Sequence, residues 1–165
     1  MAIYFFDTSA VVKYYVAEPG SSWIRQICDE RDPDTDEKSN VIFVSELTIV
    51  EGAAAFAILV RRGVVPKRAG TDAYRKFIDG VEREYRVVGL TAALVRAAAE
   101  LTQKHPLKAY DAMQLAVALD TYTLLKANEV SLNFVSGDET LLRAAQVEGM
   151  AADNPFDHAE LDGEL

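Results

Sequence analysis

Short apolar runs alternate along this chain with longer stretches whose apolar positions recur at helical spacing. Ile3-Tyr4-Phe5-Phe6 is apolar throughout and ends at Asp7, the pattern of a buried strand over 3–7. Ala10 to Val16 predicts a short helix that stops near Pro19-Gly20, and Ser21 or Ser22 can cap another helix running to Cys28. Residues 29–40 carry six acids and Pro33 and almost nothing apolar, which predicts an exposed loop. Val41 to Val44 is a second strand, and Ser45 is placed to cap the alanine-rich helix over 47–62 that Gly63 and Pro66 end. Tyr74, Phe77, Ile78, Val81 and Tyr85 give 67–86 a helical period. A third strand follows at 87–90, then a helix from Ala92 to about Gln103 capped by Thr91. Pro106 suits the first turn of a helix reaching Ala127. The fourth strand spans 132–136, Asp138 opens a helix to Val147 closed by Gly149, and 150–153 adds a short edge strand. From Asn154 the chain reads as an acidic, frayed tail.

Strands alternating with helices specify an α/β fold with a mostly parallel sheet covered on both faces. In such sheets ligands bind beyond the carboxyl ends of the strands, where the strand order reverses. Asp7 and Asp138 each follow a strand, so neighbouring first and fourth strands would place both at one crevice. At 165 residues, half of them hydrophobic, the chain forms one domain with a sizeable core. Its longest apolar stretch, Leu47 to Val60, is too short for a membrane span, and Met1-Ala2-Ile3-Tyr4 lacks the basic start of a signal peptide. A cytoplasmic location without membrane attachment is the resulting expectation. Cys28, the only cysteine, excludes an intrachain disulfide and is expected to serve packing.

Four acids depart from the surrounding apolar pattern. Asp7 closes the first strand and Asp138 follows the fourth. Glu51 is the only charge between Leu47 and Val60, and Asp111 the only one between Ala109 and Leu119. An isolated carboxylate in apolar surroundings is costly unless it is paired or coordinates a metal. Converging, the four would make an oxygen-only site for Mg²⁺ or Mn²⁺. Thr8, Ser9 and Ser136 add hydroxyls that can orient carboxylates or bound water. Such a site activates water and stabilises charge on a phosphoryl oxygen, which points to phosphodiester hydrolysis. Singly, Asp138 can be a helix cap and Asp7 a turn residue. Glu51 and Asp111 lie where capping does not account for them, as helix-interior residues, and the alternative there is a buried acid with a structural partner. Two histidines, His105 and His158, are too few for a histidine-rich metal site, and no GxxxxGK[ST] or GxGxxG loop is present.

Charge alters the picture locally. The net charge of −9 argues against a generic nucleic-acid coat. Residues 61–86 nevertheless hold eight basic and four acidic side chains. Arg61, Arg62, Lys67 and Arg68 lie just beyond the helix that carries Glu51 and can steer a polyanion. The alternative is a set of solvated helix faces.

Four segments together resemble the PIN-domain ribonucleases, of the group that forms the toxins (virulence-associated protein C) of type II toxin–antitoxin pairs. They are Phe6-Asp7-Thr8-Ser9-Ala10-Val11-Val12-Lys13, Ser45-Glu46-Leu47-Thr48-Ile49-Val50-Glu51, Leu107-Lys108-Ala109-Tyr110-Asp111-Ala112-Met113-Gln114-Leu115-Ala116 and Phe134-Val135-Ser136-Gly137-Asp138-Glu139-Thr140-Leu141-Leu142. No single segment is specific; four in order are. The resemblance covers residues 3 to about 156. It implies a single nuclease domain over 1–156 with an acidic tail at 157–165. The fold it implies is a three-layer α/β/α sandwich with a parallel sheet ordered 3-2-1-4-5. The implied activity is Mg²⁺- or Mn²⁺-dependent cleavage of single-stranded RNA. Asp7, Glu51, Asp111 and Asp138 would be catalytic metal ligands, supported by Thr8, Ser9 and Ser136. Lys13, Arg61, Arg62, Lys67, Arg68 and Lys108 are the cations assigned to RNA. The implied partners are RNA, a cognate antitoxin protein and a second copy in a homodimer. The rival expectations are a catalytically silent PIN-like domain that only binds RNA or protein, and a phosphatase or receiver domain. The latter usually opens with paired acids, whereas Thr8-Ser9 follows Asp7 here.

Overall fold

The computed structural model describes the backbone of residues 1–164 and the side chains of residues 1–163. Five strands form one sheet: β1 (Ile3–Phe6), β2 (Val41–Ser45), β3 (Arg86–Val88), β4 (Asn133–Val135) and β5 (Ala151–Asp153). Their order is β3-β2-β1-β4-β5, and all four pairings are parallel. Phe5 pairs with Phe43 on one side and Phe134 on the other, so β1 is the central strand. The chain moves outward from β1 to β3 and then returns to β4. The strand order therefore reverses between β1 and β4, where a crevice opens at the carboxyl ends.

Helices cover both faces. Helices α1 (Thr8–Tyr15), α2 (Ser21–Asp29), α3 (Leu47–Arg61) and α4 (Lys67–Arg83) pack on one side. Helices α5 (Ala92–Lys104), α6 (Ala109–Lys126) and α7 (Glu139–Val147) pack on the other. Successive strand residues point to opposite faces, so Phe6 joins the first core with Val11, Ile24, Phe56 and Phe77. Phe5 joins the second, with Phe134, Leu115, Val117 and Leu141. Double-sided burial is the reason β1 is apolar at every position rather than at every other one.

Several local expectations are corrected. Pro106 does not start α6. His105, which follows the last residue of α5, has the extended backbone favoured before proline (φ −128°, ψ 149°), so Pro106 ends one helix and the next begins three residues later. Asp111 is consequently in the first turn of α6 rather than in a helix interior. Ser45 is the last residue of β2; its Oγ accepts from the Leu47 amide, while Glu46 holds the cap position of α3. The largest correction concerns the tail. Pro155–Glu164 forms a 3₁₀ stretch docked against α2. Helix α2 begins after Gly20, which has no side chain to cap it, and the Asp162 carboxylate supplies the cap by accepting from Gly20 N (2.6 Å) and Ser22 N (2.9 Å). His158 stacks on Trp23 with ring centroids 4.1 Å apart. The acidity that reads as solvent-exposed tail is used at a helix N-terminus.

Candidate active site

Asp7, one residue beyond β1, donates its backbone N–H to Val135 O and so continues the sheet ladder to β4. Its side chain caps α1: Oδ1 accepts from Ala10 N (3.0 Å) and from Ser9 Oγ (2.7 Å). Oδ2 accepts from Ser136 Oγ (2.8 Å), beyond β4. Both hydroxyls also serve the β4 side, because Ser9 Oγ accepts from Gly137 N and Ser136 Oγ accepts from Asp138 N. Two serines thus fasten the ends of the two central strands around one carboxylate. Asp7 is only 6% exposed, and burial pushes its pKa up to about 6, against the lowering effect of these hydrogen bonds and with a further rise from Glu51.

Glu51 is placed by a second network. Its Oε2 accepts from Thr8 Oγ1 (2.6 Å) and from Gln114 Nε2 (2.7 Å). The same amide nitrogen lies 3.0 Å from Thr8 Oγ1 and 3.1 Å from Thr48 Oγ1. Gln114 is 2% exposed, and its Oε1 is buried without a hydrogen-bond partner among the described residues. Gln114 and Thr48 are contacts that motif reading passed over. The available signal was spacing: Gln114 lies three residues after Asp111, on the same helix face, and Thr48 three before Glu51.

Asp111 and Asp138 complete the set. Asp138 caps α7, its Oδ1 accepting from Thr140 N and Leu141 N. Asp111 has its pKa raised by burial and then by the Asp138 charge, with the Lys108 amide and ammonium acting the other way. All four acids line one cleft of about 660 Å³, with Thr8, Ser9, Gln114, Gly137, Tyr110 and Phe156 among its other walls. No ion pair among the described residues involves any of the four. The reading in which Glu51 or Asp111 partners a buried Lys or Arg therefore has no support.

The donor set is oxygen-only, as a hard divalent cation prefers. Among the described residues, however, no three His, Cys, Asp or Glu side chains stand close enough together to hold an ion at one point. The four carboxylates therefore share one cleft in a loose arrangement. One or two carboxylates at a time suit a cation that keeps several waters, the habit of Mg²⁺. Asp138 Oδ2 and Glu51 Oε1 have no hydrogen-bond donor among the described residues, so both oxygens are open to such a role.

The expected RNA-facing cations divide. Lys13 lines the cleft but is 2% exposed. Its ammonium bonds to Pro19 O (2.9 Å) and Glu18 Oε2 (3.3 Å) and sits 3.9 Å from the Phe156 ring centre, so it braces the cleft wall instead of meeting solvent. Lys108 is exposed beside Asp111. Arg61, Arg62, Lys67 and Arg68 are exposed at the far end of α3 and the start of α4, and none lines the acidic cleft. Cys28 is buried with its thiol pKa pushed up to about 12 by burial, in keeping with packing. No described helix is long and apolar enough to cross a membrane.

A family model described as PIN domain matches residues 4–146. Solved structures similar to this chain include a Pyrobaculum aerophilum protein (TM-score 0.56, 21% identity, 98% of this chain and 90% of that one). Another is VapC20 of Mycobacterium tuberculosis, a sarcin–ricin loop cleaving toxin (0.56, 18%, 90% and 96%). A third is a toxin–antitoxin complex from Klebsiella pneumoniae (0.54, 15%, 94% and 98%). At these identities the likeness is one of fold. No curated protein matches.

Proposed function

The chain belongs to the PIN domain family, and from that premise we propose that it is a metal-dependent endoribonuclease and the toxin of a type II toxin–antitoxin pair. The observation that carries this reading is the convergence of Asp7, Glu51, Asp111 and Asp138 on one cleft at the β1–β4 switch point, with no ion pair to any of them among the described residues. Burial, and after it the neighbouring acid charges, raises the pKa values of Asp7 and Asp111, so acids at that place are costly without a cation. One or two of Asp111, Asp138 and Glu51 at a time would hold Mg²⁺ or Mn²⁺, with Asp7 as the deep anchor. When bound, the cation supplies an activated water and stabilises charge on the phosphoryl oxygens. The chain's own residues do the positioning. Thr8 and Gln114 hold Glu51 by one oxygen and leave the other open. Ser9 and Ser136 hold both oxygens of Asp7, and the α7 amides hold one oxygen of Asp138.

An acidic cleft repels a polyanion until metal is present, so cleavage should require the cation strictly. Lys108, and the Arg61, Arg62, Lys67 and Arg68 group further off, would then meet the RNA backbone. A cognate antitoxin and a second copy of the chain are the protein partners in this reading, and the cytoplasm its place of action. A mixed RNA pool incubated with Mg²⁺, with Mn²⁺ and with EDTA tests it, with Asp7→Asn as control. Cleavage only with metal, absent in the variant, is the expected result. No cleavage under any condition, or equal cleavage by the Asp7→Asn protein, would overturn it.

A further inference from the structure

Phe156 lies beyond the residues that the family model matches, yet it walls the cleft that holds the four acids. It reaches that position because the 3₁₀ stretch is anchored on α2 by Asp162 and by the His158–Trp23 stack. One part of the ring rests on the buried Lys13 ammonium and an edge lies close to Gly137, where a Cβ would approach Phe156 Cε2 to 3.2 Å. Phe156 is nevertheless 47% exposed. A second aromatic in the same cleft, Tyr110, is 63% exposed and directly precedes Asp111. Of the three exposed aromatic side chains among the described residues, Tyr74, Tyr110 and Phe156, two line this cleft.

We propose that Phe156 and Tyr110 are specificity-determining residues that stack on unpaired nucleobases and so position single-stranded RNA over the acids. The proposal rests on the ribonuclease reading above. Bases that are free of a duplex expose π-faces, and stacking on aromatic side chains is how proteins hold them irrespective of sequence. In Lys108, Tyr110 and Asp111, three neighbouring positions offer a cation for phosphate, a ring for a base and a carboxylate for metal. Phe156 is held from beneath by Lys13, so little side-chain freedom is lost when a base lands on it. The pairing with acids and a cation favours RNA over a protein partner as the occupant.

The test is cleavage kinetics on a single-stranded RNA oligonucleotide that the wild-type protein cuts, compared with versions carrying one abasic site at each position in turn. Phe156→Ala and Tyr110→Ala should each lower kcat/KM by roughly 5- to 150-fold, mainly through KM, the range that loss of one stacked base corresponds to. Removing the base that stacks on Phe156 should cost the wild type a similar factor and cost Phe156→Ala nothing further. Phe156→Trp should restore activity. Phe156→Leu, which keeps bulk against Lys13, should retain the wild-type melting temperature but not the activity. Wild-type kinetics in both alanine variants, or abasic losses that simply multiply with them at every position, would overturn the stacking role. So would intact cleavage combined with lost affinity for an antitoxin, which would make Phe156 a protein contact. A wild-type protein that cuts no RNA would remove the ribonuclease reading itself, a result distinguishable from all of these.

Discussion

Asp7 concentrates the electrostatic cost of the site in one side chain. Its pKa is raised from 3.8 in the unfolded chain to about 6 in the folded protein, chiefly by burial. A raised carboxyl pKa means that the folded state retains a proton the unfolded state has released. The group is therefore without effect at acid pH, where both states are protonated. It destabilises the metal-free protein progressively as pH rises through the window between those two values, and the loss stays constant above it. The full difference is about 3 kcal/mol at 1.36 kcal/mol per unit. Urea melts in EDTA should show the stability advantage of Asp7→Asn growing between about pH 4 and about pH 6 and then levelling. An advantage independent of pH would mean that the carboxylate is not the source of the cost. Asp111 is less buried, and water screens part of its interaction with Asp138. Asp111→Asn should abolish cleavage and leave the metal-free protein as stable as the wild type or more so, by less than about 1 kcal/mol. A loss of roughly 3–5 kcal/mol, the signature of a broken buried ion pair, would instead mark Asp111 as structural.

Helix α2 and the C-terminal 3₁₀ stretch are coupled elements. Gly20 adopts φ +85°, and a Cβ there would run into the Pro155 carbonyl oxygen. The position has both a left-handed backbone and no room, so Gly20→Ala cannot be accommodated without moving the 3₁₀ stretch. The variant should lose more than about 1 kcal/mol of stability. It should also unstack His158 from Trp23, the only tryptophan, and so alter its fluorescence in the folded state. Unaltered emission and an unaltered urea midpoint would show that the stretch is not held through this contact. Because the stretch also carries Phe156, its displacement would open one wall of the cleft.

Charge acts over the whole molecule. The net value of −9 sets a background repulsion for RNA, and the exposed group of Arg61, Arg62, Lys67 and Arg68 is a local exception without ion-pair partners among the described residues. Replacing Arg61, Arg62, Lys67 and Arg68 with Glu should weaken RNA binding and flatten its salt dependence, since each lost phosphate contact lowers the slope of log K against log salt by roughly 1. Metal-induced stabilisation, read as the rise in melting temperature with Mn²⁺, should persist, because none of the four lines the cleft. An unchanged salt slope would assign this surface to solvent or to a protein.

Local pattern sufficed for the layered α/β architecture, because strand and helix periods, caps and turn residues act over a few neighbours. Ile3-Tyr4-Phe5-Phe6 reads as a doubly buried strand, Thr91 and Asp138 cap the helices they precede, and Gly149 ends α7 in a left-handed turn at φ +90°. The four acids were also legible, since a lone carboxylate in an apolar run conflicts with its surroundings wherever the chain goes. Their spacing to one another was not, because side-chain separations across a cleft depend on how layers pack. The structure brings all four to one cleft, yet no three of them close on one point. Gln114 and Thr48 gained their roles only when α3 and α6 met beside Glu51. Lys13 turned from an apparent surface cation into a buried brace, and the acidic tail into the missing cap of α2, through contacts with chain far away in sequence. Polar and charged side chains have no fixed partner in local sequence, so their roles were decided by what folding placed against them.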